Sequence, residues 1–228
     1  MVLALILIHP YRAVKSIKAR PRWLAAFLML ASVSILLAVV MHPGLVRDTI
    51  AHLPNSALEE EKQLVVRSLD DQLWVRCSFL PIRLLIGWSS FAMLLFYACW
   101  LFVGVERFRQ KHFLSLVVHA EALMLAGKIV QYLMLLASTG TANLHTTSNP
   151  ISVGWLLKPA GNLLATEFLN ALTPFAFWYL VVLTVGVSAI CSFGRFKAFL
   201  IVSVIWSLSI AFNLEMLSIL SDTLHLQI

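Results

Sequence analysis

The sequence predicts an all-α, polytopic integral membrane protein, built as a five-helix transmembrane bundle with external amphipathic helices. Hydrophobic residues make up 60% of the chain and charged residues 12%, about half the charged share of a soluble domain. Mean hydropathy is +0.87. A helix needs about 20 apolar residues to cross a bilayer core, and backbone groups in lipid must be satisfied within helices. Five stretches fit this requirement, near residues 24–41, 84–103, 114–137, 172–191 and 198–219. The 228 residues leave room for this single membrane domain.

Residues 1–22 precede the first span and predict an interfacial segment on the cytoplasmic side. After Pro10 the segment is amphipathic and basic, which is typical of a helix that lies on a membrane surface. By the positive-inside rule, this charge places the N-terminus in the cytoplasm and makes the basic side chains candidate contacts to anionic lipid. These side chains are Arg12, Lys15, Lys18, Arg20 and Arg22.

The later loops predict the same orientation. The loops after spans two and four are short and basic, so both are expected in the cytoplasm. Their basic residues are Arg107, Arg109, Lys111, Arg195 and Lys197. The connections at 42–80 and 138–171 are then external, and five spans put the C-terminus outside. The basic loops fit a bacterial inner membrane, and the preference for bacteria over an endomembrane system comes from the family resemblance given below.

The outer connections predict helices of their own. Ser56 and Glu59 form a capping-box pattern, followed by an apolar stripe to about Val75. This helix has two possible roles. It is a brace that packs on the bundle or lies in the headgroups, or it is an arm that binds a partner. In the second connection helical periodicity resumes over 162–172, and Glu167 favours an interfacial helix over a re-entrant one.

Span three carries a central cluster of polar groups, which inside a membrane are candidate functional residues. The cluster consists of His119, Glu121, Lys128 and Gln131. Glu121 and Lys128 are seven residues apart, so they share a helix face but lie about 10 Å apart along the axis. Each therefore needs a partner from elsewhere. The candidates for that role are Arg83, Asn170, Asn213 and Glu215. Two interpretations remain open: a structural polar lock, or a site for an ion, a proton or a lipid headgroup.

Motifs of enzymes and cofactor sites are absent from the sequence. There is no nucleophile elbow, zinc-protease motif, phosphate-binding glycine loop or dinucleotide fingerprint. His119 and Glu121 point about 200° apart on a helix, so they do not form a catalytic pair. Cys77, Cys99 and Cys191 are scattered and predict neither a disulfide framework nor a metal site. The basic residues are spread among loops, which argues against nucleic-acid binding. We expect no enzyme activity and no cofactor.

Several sequence features, in order, resemble the Yip-domain family of Ypt/Rab-GTPase-interacting membrane proteins, in its bacterial branch. The resemblance begins with Pro10-Tyr-Arg-Ala, Ile17 and Pro21-Arg-Trp23 leading into span one. It continues with the charged outer helix around Glu59 to Asp71. It ends with Phe177-Trp-Tyr-Leu-Val-Val-Leu-Thr-Val-Gly186, then Arg195-Phe-Lys197 and Trp206. The Asp-Leu-Tyr-Gly-Pro and Gly-Tyr motifs of eukaryotic members are missing, so Rab binding is not carried over.

The resemblance implies a protein that organises or assists other membrane components, and some bacterial relatives accompany ABC-type transporters. We therefore expect a non-enzymatic scaffold or assembly partner that contacts lipids and other membrane proteins. The alternative is a small transporter or channel with Glu121 and Lys128 along its path. A packed, dry face on span three would favour the scaffold.

Overall fold

The described part of the chain is helical throughout, as predicted, and contains no strand. This computed structural model describes residues 5–6, 8–51, 53, 58–103, 109–139, 151–157, 163–192 and 194–225, with side chains of the last helix as far as Ala211. The helices in chain order are α1 Pro10–Ala19, α2 Trp23–Ala51, α3 Glu59–Val103, α4 Gln110–Thr139, α5 Val153–Leu157, α6 Leu163–Ala171, α7 Pro174–Cys191 and α8 Arg195–His225.

Four helices, α2, α3, α4 and α7, are long and apolar enough to cross a membrane. They contain all or nearly all of the first four predicted spans, although α7 begins two residues later than its stretch at 172–191. The fifth predicted span, 198–219, lies within α8, whose described side chains stop short of its end. The described residues therefore contain four helices that could cross a membrane, which indicates a membrane protein, and the fifth crossing stays a prediction.

Helix α4 forms the centre of the bundle and contacts α1, α2, α3 and α7. Its side chains at Leu116, Val117, Val118 and Ala120 are fully buried. Lipid tails are as apolar as these side chains, so helix association in a membrane depends on close van der Waals packing more than on water exclusion. The interior of the bundle should therefore be sensitive to small changes in side-chain volume.

Two glycines allow α4 and α7 to approach closely. A Cβ atom added at Gly186 of α7 would collide with the Leu116 side chain, and one added at Gly127 of α4 would lie 3.0 Å from Phe175. The two contacts are separated by the same number of residues on each helix, 127 − 116 = 11 and 186 − 175 = 11. The helices therefore run antiparallel in register over about 16 Å at 1.5 Å per residue.

Both ends of α7 are capped by local hydrogen bonds. The Thr173 hydroxyl accepts from the Ala176 N–H at 3.0 Å, and Pro174 occupies the first turn, where a missing N–H costs little. At the other end Ser192 adopts the left-handed conformation, with φ 59°, and its N–H donates to the Ser188 carbonyl. Helices commonly end on such a residue, usually glycine.

The outer connection at 42–80 is not a loop with a separate helix. Helix α2 runs past its predicted span to Ala51, and α3 runs unbroken from Glu59 to Val103. The amphipathic outer helix and span two are thus one helix of 45 residues, about 68 Å long at 1.5 Å per residue. We call the part before Pro81, residues 59–80, the outer arm.

Two features explain why the helix continues through the outer arm. The Glu61 carboxylate accepts from the Leu58 N–H at 3.1 Å, and three acidic residues occupy the first turn, where the helix dipole favours them. The predicted cap Ser56 lies outside the described residues. Pro81 costs an interior helix about 3 kcal/mol. We attribute its tolerance to the packing of α3 on α2 and α4.

Helix α1 turns its apolar side toward protein. Ala13, Val14 and Ile17 are buried, and the helix contacts α7 and α4. Its basic side chains are exposed, and the Lys18 ammonium donates to the Ala189 carbonyl at 2.6 Å. The sequence predicted an amphipathic helix resting on lipid. Instead, the bundle covers the apolar face and only the charged face remains for headgroups.

Helices α5 and α6 form a cap beside the start of α7. The Ser152 hydroxyl accepts from the Trp155 N–H at 3.1 Å and donates to Asn170 Oδ1 at 3.3 Å. Gly154 faces Asn170 so closely that a Cβ atom would not fit. Helix α6 lies within the predicted stretch 162–172 and contacts α8. Asn170, a predicted partner for span three, is engaged within this cap.

Candidate intramembrane polar site

Glu121 accepts a hydrogen bond from an aromatic side chain on a neighbouring helix. The Tyr179 hydroxyl of α7 donates to Glu121 Oε1 at 3.1 Å, and Trp88 of α3 lies close to the same carboxyl group. Tyr179 and Trp88 are buried, whereas Glu121 is partly exposed. The Glu121 carboxyl group thus links α4 to α7 and lies beside α3.

Further aromatic rings pack against Trp88 and Tyr179. Phe27 of α2 packs edge-on against Trp88, with ring centroids 5.7 Å apart and planes at 86°. Phe91 lies beside Tyr179, with ring centroids 6.4 Å apart and planes at 44°. Contacts between aromatic rings stabilise the pairs beyond simple burial. They restrict the orientation of Tyr179, whose hydroxyl donates to Glu121, and of the neighbouring Trp88 ring.

Lys128 lies on the same face of α4 but does not bond to Glu121. No ion pair joins the two among the described side chains, and Lys128 is exposed. It follows Gly127, which contacts Phe175, the second residue of α7, so Lys128 is level with the outer end of that span. A lysine near a helix end can extend its ammonium toward the interface. The sequence predicts a deeper position for Lys128, because the apolar stretch alone centres the span near Leu125.

His119 and Gln131 are also separate from the Glu121 cluster. His119 is buried, and its Nδ1 lies 2.7 Å from the Ser115 carbonyl one turn earlier, so Nδ1 carries the proton in that hydrogen bond. Gln131 is partly buried one turn beyond Lys128. Beside it, the Tyr132 hydroxyl donates to the Val40 carbonyl of α2 at 3.3 Å. Of the four predicted polar residues, only Glu121 is hydrogen-bonded to other helices by the described contacts.

Sequence reasoning did not identify Trp88 and Tyr179 as partners of Glu121. Each flanking span carries an aromatic residue with a polar group, and this was the available signal. Hydropathy alone does not give the rotation and axial offset of the helices, which decide which residues pair. Arg83 proves to be exposed, and the side chains of Asn213 and Glu215 lie outside the described residues.

The end of the bundle that carries α1 and the start of α4 is strongly basic. Six cations at this end, predicted as lipid contacts or loop charges, are exposed. They are Arg12, Lys15, Lys18, Arg20, Arg22 and Lys111. Apart from the Lys18 hydrogen bond to α7, these groups face away from the core. Their placement suits contact with anionic headgroups.

Metal sites with three or more His, Cys, Asp or Glu ligands do not occur among the described residues. Comparison with family models, with curated proteins and with solved structures finds no match to this chain. The interpretation of the site therefore rests on its own geometry, in which the Glu121 carboxyl group of α4 accepts from Tyr179 of α7 beside the Trp88 ring of α3.

Proposed function

We propose that the protein is a non-enzymatic scaffold or assembly partner for another membrane protein, which it contacts through the outer arm. The observation that carries the proposal is the exposure of large apolar side chains there. Trp74 is 73% exposed, and Leu64, Val75 and Phe79 are also exposed. Trp74 lies ten residues before the predicted span at 84–103, which is about 15 Å along the helix. Exposed aromatic residues of this kind are typical anchors of interfaces.

Charge on the outer arm favours a protein partner over lipid. Arg67, Asp71 and Arg76 lie on the same side of the arm as Leu64 and Val75. This mixture of charged and apolar groups resembles an interface with a polar rim. A helix built to insert into lipid would separate the two kinds of side chain more cleanly.

The packed centre of the bundle supports a scaffold over a conduit. The face of α4 toward α7 is filled by Leu116, Leu123 and the rings around Glu121, and the Glu121 carboxyl group accepts the hydrogen bond from Tyr179. We interpret this cluster as a structural polar lock that holds the bundle rigid while the outer arm binds.

The proposed topology has five spans, with α8 as the fifth, the N-terminus in the cytoplasm and the C-terminus outside. The basic inner end supports this orientation. The short basic loops and the resemblance to bacterial Yip-domain proteins favour a bacterial inner membrane, and the resemblance also makes an ABC-type transporter a candidate partner.

A small transporter or channel is the second candidate function. Glu121 stays partly exposed, and Lys128 lies on the same helix face, which would suit a path along α4. This function predicts that Glu121→Gln and Lys128→Met leave a stable protein that no longer binds or moves its solute. The polar lock predicts instead a loss of stability for Glu121→Gln.

Photo-crosslinking in native membranes tests the scaffold. A benzophenone amino acid replaces Trp74 in one variant and Trp155, an exposed tryptophan of α5, in the matched control. We expect position 74 to give one dominant adduct with a membrane protein that also co-purifies at a fixed ratio. Adducts only with lipid, or the same protein adducts from both positions, would contradict the proposal.

A further inference from the structure

One side of helix α3 carries an exposed apolar stripe with a seven-residue repeat. Val75 and Ile82 are seven residues apart, as are Phe79 and Ile86, and all four side chains are 54–62% exposed. The stripe thus alternates steps of four and three residues, which is the spacing by which two helices pack along a common seam. Val75 and Phe79 belong to the outer arm, so the stripe extends beyond the predicted span at 84–103.

Opposite charges flank this stripe on the outer arm. Asp71 and Arg76 lie on the same side of the helix as Val75. From the midline between Val75 and Phe79, Asp71 lies about 60° to one side and Arg76 about 80° to the other, at about 100° per residue. The two therefore point about 140° apart and do not pair within one helix. Among the side chains that the structure describes, Asp71 forms no ion pair.

The bilayer restricts how a second copy of the chain can approach this stripe. Two copies inserted in the same orientation are related by a two-fold axis along the membrane normal, because any other two-fold axis would invert one of them. Their arms then run parallel at the same height. In a parallel pair, a residue on one flank of the seam lies beside the opposite flank of its partner, five residues further along. Asp71 and Arg76 have this separation, 76 − 71 = 5 residues.

We propose that the protein forms a parallel homodimer through the outer arm, with Val75 and Phe79 in the seam. Asp71 of each copy pairs with Arg76 of the other, once on each side of the axis. Gln72 lies in the seam between these groups, and a polar residue at one such position fixes the register of two helices. Its amide carries both donors and acceptors for its copy. Each arm supplies an acidic and a basic flank, so the surface is complementary to itself.

The dimer goes beyond the proposed function and does not depend on it. Trp74 lies about 100° from Val75 and about 140° from Phe79 around the helix, so it stays outside the seam. The side of the arm with Val75 thus binds the second copy, and Trp74 remains accessible to the assembly partner. A lipid covering would account for the apolar stripe, but it gives no reason for opposite charges on its two flanks at this spacing.

Disulfide crosslinking of the full chain in its native membranes tests the seam. Val75→Cys places a thiol next to the two-fold axis, and Trp74→Cys, one residue earlier at the same height, is the matched control. Both variants also carry Cys77→Ser, which removes the partly buried native thiol nearby. With copper phenanthroline as oxidant, we expect Val75→Cys to form disulfide-linked dimer about tenfold faster than Trp74→Cys, because a disulfide requires closely spaced Cβ atoms.

Charge exchange tests the register. In the Val75→Cys chain, Asp71→Arg or Arg76→Asp places like charges on both sides of the seam and should slow crosslinking about fivefold. The double variant Asp71→Arg with Arg76→Asp restores opposite charges and should return the rate to within about twofold of the parent. Such a rescue reports contact between chains, because the two side chains do not meet within one helix.

Equal rates of dimer crosslinking from positions 74 and 75 would overturn the proposal. Single charge reversals without effect, or a double variant as slow as either single one, would also overturn it. If the charge variants do not reach the membrane, the comparison of positions 74 and 75 decides, because it requires neither. A chain that forms no dimer but keeps its photo-adduct from position 74 would remove the homodimer and leave the proposed function intact.

Discussion

Removing the Tyr179 hydroxyl should weaken the bundle through Glu121. Tyr179→Phe keeps the buried ring and its contact with Phe91 but removes the donor that lies 3.1 Å from Glu121 Oε1. Hydrogen bonds between transmembrane helices contribute about 0.6 kcal/mol on average and up to about 1.7. An ionised carboxylate would raise the contribution to about 1.5–3 kcal/mol. We expect a loss of about 1 kcal/mol, or roughly fivefold in the folding equilibrium, because Glu121 is partly exposed and its bond should lie within the range for hydrogen bonds between helices.

A double-mutant cycle with Glu121→Leu isolates this interaction, because leucine offers the Tyr179 hydroxyl no acceptor, whereas glutamine would. Reversible unfolding in mixed detergent and SDS micelles, followed by circular dichroism, gives the free energy of unfolding for each variant. We expect a coupling energy of about 0.6–1.7 kcal/mol between positions 179 and 121. Tyr97→Phe, at an exposed tyrosine of α3, is the matched control and should change stability by less than about 0.5 kcal/mol.

The same cycle separates the polar lock from a transport site. Coupling near zero, or a Tyr179→Phe variant as stable as the wild type, would refute the lock. Lys128→Met provides an internal check, because its exposed side chain makes no ion pair with Glu121 and should leave unfolding unchanged within about 0.5 kcal/mol.

Three further substitutions test the packing, a helix end and the outer hairpin. Gly186→Ala should lower the stability of the protein by about 1–3 kcal/mol in thermal or SDS unfolding, because the new methyl group collides with Leu116. Gly87→Ala is the control and should not destabilise the protein, because Gly87 has open space around it. Ser192→Gly should raise the stability of the protein by about 1 kcal/mol, since glycine carries no Cβ penalty at φ 59°, and an unchanged melting temperature would argue against that strain. His42→Ala removes the 2.7 Å contact between His42 of α2 and Asp70 of α3. We expect faster amide exchange in both outer segments and a loss of stability of at most about 1 kcal/mol. Unchanged exchange would mean that packing alone keeps the two segments together.

Hydropathy predicts the helices well because lipid constrains them so strongly. The stretches at 24–41, 84–103, 114–137 and 172–191 fall on helices that can span a membrane. Their ends are harder to place. Residues 42–51 and 59–80 contain charges and a proline follows at Pro81, which is typical of a connection, yet they continue the helices on either side. Mutual packing of α2 and α3 stabilises these segments as helices. That contact cannot be recognised in a single sequence.

The polar site, like the helices, could be predicted only in part from the sequence. Glu121 stands out in the sequence because a carboxyl group in an apolar span is costly wherever it lies. Its partners Trp88 and Tyr179 do not, because pairing depends on the rotation and axial offset of three helices.

Helix α3 would act as a lever if it pivoted at Trp88, which packs against Phe27 of α2. There are 88 − 59 = 29 residues of the helix before Trp88 and 103 − 88 = 15 after it. The two parts measure about 44 Å and 22 Å at 1.5 Å per residue. A sideways push of about 2 Å on the start of the outer arm would then shift the far end of the helix by about 1 Å in the opposite direction, less any bending at Pro81. A partner docked on the outer arm would thus exert force on the opposite end of the same helix.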